Sequence, residues 1–263
     1  MKSILHFSHA NGFPGGSYQV LLNWLNEHYD VRYTDRIGHN SEYPVTNNWP
    51  ELEQEMTLFF ERTYSEPVIA VGHSLGGILS LRLAAKRPDL IKGIIVLDVP
   101  VLSRSEAFGL RMLKQFKLMD KVTPAKRMDG RRALWRDEME AIEYFRKKKL
   151  MQRFNERCLA DYVHSGTEPC EEGIKLRFNP MIEKEIYLTI PDNNLLTKPL
   201  KMPSAAIAGT HSKVFSTYQG ARMQKRLGMD VRWLSGSHMF PLEHPLETAQ
   251  TVHELLQNMK LPS

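Results

Sequence analysis

The chain reads as an α/β protein: a six-stranded, mostly parallel sheet with helices on both faces and a helical segment inserted between the fourth and fifth strands. Three observations predict this. Short apolar runs alternate with amphipathic stretches over the first hundred residues. That rhythm stops near Ser103 and resumes near Ala205. Finally, Gly72-His73-Ser74-Leu75-Gly76-Gly77 stands where an apolar run meets a helical stretch, which is a strand, a tight turn and a helix in succession.

Taken in order, residues 4–8 form the first strand, and residues 17–28 carry Val20, Leu21, Trp24 and Leu25 at helical spacing. Residues 31–34 form the second strand. In residues 50–64, Leu52, Met56, Phe59 and Phe60 share one face, and Pro50 sits where proline suits a helix start. Residues 68–71 form the third strand and lead through Ser74 into a helix over 78–86, which stops before Pro88. The fourth strand, Ile-Ile-Val-Leu at 94–97, is apolar on both faces and ends at Asp98. Between Ser103 and Leu196 no strand of that kind occurs. Trp135, Met139, Ile142 and Phe145, then Phe154, Cys158 and Tyr162, recur with a helical period instead. A fifth strand at 205–208, a helix over 215–227, a sixth strand at 231–234 and a helix over 246–259 complete the pattern. Three units are expected: core 1–102, helical insertion 103–196 and core 197–263.

A chain of 263 residues can bury one large core, or a core and a modest second unit. With 42% hydrophobic and 25% charged residues it has the composition of a soluble enzyme, and no apolar stretch is long enough to span a membrane. Met1-Lys2-Ser3 runs into Ile4-Leu5-His6-Phe7, too short an apolar run for a signal peptide. Only Cys158 and Cys170 are present, so neither a disulfide framework nor zinc-ligand spacing exists, no metal is implied, and a cytoplasmic location is expected. The formal net charge is +5, and residues 103–153 concentrate it, with fifteen Lys or Arg against seven Asp or Glu. Such a patch attracts anions, but a solvated helix face explains it as well, and no nucleic-acid motif accompanies it. No nucleic-acid partner is expected, and the oligomeric state is not legible.

The chemistry gathers around Ser74. A bare Gly-x-Ser-x-Gly arises by chance in roughly one chain in ten of this length, so the flanking strand and helix carry the weight. A serine on so sharp a turn needs small neighbours two residues either side, and Gly72 and Gly76 supply them. The hydroxyl also needs a base. Of ten histidines, His238 follows the last predicted strand, which in a parallel sheet places it on the same edge as Ser74. A tetrahedral intermediate needs an oxyanion hole. Leu75, directly after the serine, offers one N–H. The loop His9-Ala10-Asn11-Gly12-Phe13-Pro14 offers another, expected from Phe13 because Pro14 has none.

These three segments, His9–Pro14, Gly72–Gly77 and Ser237-His238-Met239-Phe240-Pro241-Leu242-Glu243-His244-Pro245, resemble the α/β-hydrolase superfamily, most closely its capped esterase-like members. The resemblance covers the whole chain, with 103–196 in the place of the family's variable cap. It implies a catalytic triad of Ser74, His238 and an acid, and no cofactor. Two departures stand out. The two strands that usually precede the first motif are missing. The acid is also absent after the fifth strand, where Gly209-Thr210-His211-Ser212 stands in place of the usual aspartate. Asp98, at the end of the fourth strand, is the alternative that some members use, and Ser212 is a candidate hydrogen-bond partner for His238 or Asp98.

The expected activity is that of a serine carboxylesterase on a small-molecule ester. Acyl-CoA thioester hydrolysis, perhydrolysis and carbon–carbon bond hydrolysis remain alternatives on the same fold, and a non-catalytic ligand-binding protein is the alternative from a different class. Phe108, Met112, Phe116, Met119 and Trp135 either wall the substrate pocket or form the insertion's own small core.

Overall fold

The computed structural model describes residues 2–193 and 196–261. In chain order its strands and helices are β1 (Ile4–Ser8), α1 (Gln19–Asn26), β2 (Asp30–Tyr33), α2 (Pro50–Thr63), β3 (Val68–His73), α3 (Leu75–Lys86), β4 (Ile91–Leu97), α4 (Arg104–Gln115), α5 (Met119–Val122), β5 (Leu134–Trp135), α6 (Glu138–Arg146), α7 (Glu156–Gly166), β6 (Thr167–Cys170), β7 (Gly173–Leu176), α8 (Pro180–Leu188), β8 (Ser204–Gly209), α9 (Thr217–Leu227), β9 (Asp230–Leu234), α10 (Phe240–Glu243) and α11 (Pro245–Asn258).

Six strands pair in parallel in the order β2-β1-β3-β4-β8-β9, as the apolar runs predict. Alternation along the strands divides the interior into two layers. Leu5, Phe7, Ile69, Val71, Ile95 and Leu97 face α1 and α11. Val68, Ala70, Ile94, Val96, Ala206 and Ala208 face α2, α3 and α9. Helix starts follow local chemistry. Ser103 with Glu106 and Ser216 with Gln219 form capping boxes, so α9 begins at Thr217, just after its capping serine.

The strand order positions the site. From β1 the chain winds outward to β2, then crosses back to β3 on the other side of β1. The loops leaving β1 and β3 therefore part and open a crevice at the carboxyl edge of the sheet, the usual ligand position in open parallel sheets.

Between β4 and β8 lie the expected helices together with a three-stranded antiparallel sheet, ordered β5-β7-β6, that the helical pattern did not include. Its strands are only two to four residues long, and Glu168, Pro169 and Lys175 interrupt any apolar alternation. Residues 194–195, near the expected end of the insertion, lie outside the described residues.

The five apolar side chains assigned to a pocket wall or to a separate small core take up neither role as a set. Phe108 and Phe116 are 59% and 66% exposed, whereas Met119 and Trp135 are buried. Trp135 joins Phe145, Phe154 and Tyr162 in the layer shared with α1, so this part of the insertion is continuous with the main core. The row 108, 112, 116 follows a helical period but does not line the cavity, which Leu110 of the same helix does.

Candidate active site

Ser74 sits between β3 and α3 with φ of 50°, an unusual backbone for a residue with a Cβ. The turn closes because its neighbours are glycines. A Cβ on Gly72 would come within 2.7 Å of the Gly76 carbonyl oxygen, and one on Gly76 would strike the backbone of Ser8. Two backbone bonds anchor the turn: Ser74 N–H donates to the Leu97 carbonyl at 3.1 Å, and Gly76 N–H to that of His9 at 3.0 Å.

The structure brings Ser74, His238 and Asp98 into one hydrogen-bonded line. His238 Nε2 lies 3.0 Å from Ser74 Oγ, and its Nδ1 lies 2.6 Å from Asp98 Oδ2. The Asp98 carboxylate is fully buried, so its charge needs donors. It finds three: His238, the Gly209 N–H at 2.9 Å on Oδ1, and the Ser212 hydroxyl at 2.5 Å on Oδ2. Ser212 thus bonds Asp98 rather than His238, and its oxygen also receives the N–H groups of Val214 and Phe215.

A second set of contacts holds the His238 backbone. Ser237 N–H and Oγ–H both donate to the Glu243 carboxylate, at 2.8 and 2.5 Å. His73 Nε2 lies 2.9 Å from the His238 carbonyl oxygen. A carbonyl only accepts, so Nε2 carries the His73 proton and Nδ1 accepts from Tyr18 Oη at 2.8 Å. Burial, aided by the neighbouring His238, holds the His73 pKa well below 6.5 and keeps this ring neutral. Sequence reasoning passed over His73. Its place beside the serine and inside a buried strand was the available signal.

The loop after β1 corrects one expectation. Phe13 N–H donates to the Ala10 carbonyl at 3.0 Å, and its ring packs against Phe154 and Tyr162, so it is committed to a turn and to the core. Asn11 instead lines the cavity beside Ser74 and Leu75. Among the described residues, the N–H groups of Asn11 and Leu75 have no acceptor. Asn11 is tied to the insertion through Nδ2, which donates to the Glu183 carbonyl at 2.9 Å, and the Glu183 carboxylate pairs with Arg131 at 2.6 Å. His9 braces the same loop. Its Nε2 accepts from Ile37 N–H at 2.9 Å, and burial lowers its pKa to about 4.

Ser74 and His238 open onto a cavity of about 430 Å³, within the usual range for small-molecule sites. Ile78, Val101, Leu110, Val122, Ile186 and Ile190 give it largely apolar walls. Among the described residues, no group of three or more His, Cys, Asp or Glu is placed to hold a metal ion, and no helix is long and apolar enough to cross a membrane.

A parallel sheet whose third strand turns through serine into a helix, with a histidine and an aspartate from later strand ends, defines a class. The model of the alpha/beta hydrolase fold family matches residues 10–245, and the chain belongs to that family. Monoglyceride lipase of Rattus norvegicus is 27% identical over 131 residues, covering 47% of this chain and 43% of that protein. The (E)-2-((N-methylformamido)methylene)succinate hydrolase of Acinetobacter baylyi is 26% identical over 160 residues, 56% of each. The chain thus spans about half the length of the curated relatives it matches. Among solved structures, E-2-(acetamidomethylene)succinate hydrolase superposes with a TM-score of 0.78 at 19% identity, covering 97% of this chain and 91% of that one. The thioesterase domain from the curacin biosynthetic pathway follows at 0.73 and 17%, covering 96% and 91%. At these identities the structural likeness speaks to the fold.

Proposed function

We propose that this hydrolase-family chain is a serine esterase that cleaves small, largely apolar esters through an acyl-enzyme. His238 Nε2 takes the proton of Ser74 as Oγ attacks the ester carbonyl, and Asp98 orients the imidazole and stabilises its cationic form. The developing oxyanion is received by the N–H groups of Leu75 and Asn11, the latter in place of Phe13. The imidazolium returns its proton to the departing alcohol. It then activates a water that releases the acid and restores Ser74. The observation carrying this reading is the unbroken line from Ser74 through His238 to Asp98, at 3.0 and 2.6 Å.

A fluorophosphonate probe tests it. One label per chain, on Ser74 and lost in His238→Ala, is the expected result. A protein that stays unlabelled while folded is a binding module, not an esterase. A thioester with an anionic carrier is a second reading, favoured by the basic residues of 103–153. Rising salt then raises KM for the charged thioester and not for a neutral ester.

A further inference from the structure

We propose that the cavity is built for an ester whose apolar chain ends in a carboxylate, which Arg82 receives at the far end from Ser74. This rests on the esterase reading and names its substrate class. Ser74, Leu75, Ile78, Leu81 and Arg82 all line the cavity, and their spacing is that of one face of α3. The cavity therefore runs along this helix. Eight residues separate its two ends, a rise of about 12 Å. An extended chain advances about 3.5 Å per three bonds, so this distance matches roughly ten bonds, and fewer once the guanidinium leans back toward the helix start. Between the ends the walls are largely apolar, with Thr123, Tyr187, Lys213 and Gln219 also among the lining residues.

Arg82 is out of place in such a wall unless something there needs it. Its side chain is only 8% exposed. Nε donates to Glu53, and Nη1 donates to Asn193 Oδ1 at 2.7 Å. Nη2 has no acceptor among the described residues. The other Glu53 oxygen is bonded by Lys86, so the carboxylate is shared between two cations. The Lys86 side chain is 55% exposed, so the surplus cation lies toward solvent, and what Arg82 brings to the cavity is its Nη2 donor. A planar guanidinium with a spare donor edge is suited to a carboxylate. Burial there leaves the attraction poorly screened by salt, unlike the basic surface of the insertion.

The test compares p-nitrophenyl octanoate with the mono-p-nitrophenyl ester of suberic acid, chains of equal length that differ only in the terminal carboxylate. The wild-type protein is expected to favour the suberate ester by about tenfold or more in kcat/KM. In Arg82→Met the ratio should fall to near one, and in Arg82→Lys to an intermediate value. Glu53 keeps Lys86 as partner in these variants, and a cooperative thermal melt is the check that they fold. A readout independent of turnover uses Ser74→Ala: monomethyl suberate should raise its melting temperature, and adding Arg82→Met should remove that rise. Cleavage of both esters at equal rates, or an equal loss on both in Arg82→Met, makes Arg82 a structural residue and overturns the proposal. Absence of turnover and of fluorophosphonate labelling overturns the esterase reading instead, while the melting shift still decides the fate of the carboxylate site.

Discussion

The carboxyl edge of the sheet and the insertion between β4 and β8 meet at one cavity but are built on opposite terms. At the sheet edge the groups are polar and directional: Asp98, His73 and His9 are at most 1% exposed, and each is held by named donors and acceptors. In the insertion, Leu110, Val122 and Ile186 offer surface without direction, while Phe108 and Phe116 of the same region face solvent. Reaction geometry is thus held by strand ends that cannot shift without breaking the sheet. The insertion's share of the cavity wall is largely apolar surface that tolerates repacking. The Asn11 Nδ2 bond to the Glu183 carbonyl couples the two regions, and Arg131, itself in the insertion, holds the Glu183 carboxylate.

If that division holds, damage to the edge should be catastrophic for rate and mild for stability. Ser74→Ala or His238→Ala should lower kcat by about 10⁴ to 10⁶-fold, with an unchanged thermal melt. Asp98→Asn should cost about 10⁴-fold, because an amide does not hold the imidazole in the working tautomer. Ser212→Ala, which removes one of three donors to Asp98, should cost less than about tenfold. Steady-state kinetics on one activated ester rank the pair, and the reverse order would transfer the orienting role to Ser212.

Damage to the buried pair behind that contact should show the opposite sign: stability before rate. Arg131→Met leaves Glu183 buried without its cation, and about 3–5 kcal/mol of unfolding free energy should be lost in denaturant titrations. A loss under about 1 kcal/mol would mean that the insertion is held together by other contacts.

Acid should act on the edge through its buried neutral histidines. Burial lowers His9 to about 4 and His6 to about 3, against about 6.5 when unfolded. Below pH 6.5 the unfolded chain therefore binds protons that the folded one refuses, and stability falls as the pH drops toward those lower values. Melting temperature should be level above about pH 7 and decline below 6; a rise on acidification would contradict the buried, neutral assignment. The smallest effect belongs to the outer face of the insertion. Phe108→Ser should change stability by no more than about 0.5 kcal/mol and leave ester kinetics alone.

The sheet was legible because strands buried on both faces read as continuous apolar runs, and Ser74, His238 and Asp98 because strand ends converge on one edge. The insertion's three strands were not, since two to four residues carry no period. That the Phe13 N–H is taken up by the Ala10 carbonyl was not legible, because donor availability depends on which N–H a local turn consumes and residue type does not report that. Residues 108, 112 and 116 misled because helical spacing marks a face without saying which way it points. Arg82 carries no signal in the sequence, because Glu53, which pairs with it, comes from another helix and the cavity beside it exists only in the fold.

The most direct measurement is rapid-quench mass spectrometry of the protein mixed with a p-nitrophenyl ester. One acyl group per chain, on the peptide carrying Ser74 and absent when His238 is replaced by alanine, is the predicted result. Turnover with the acyl group on another residue, or turnover that survives Ser74→Ala, would contradict the account.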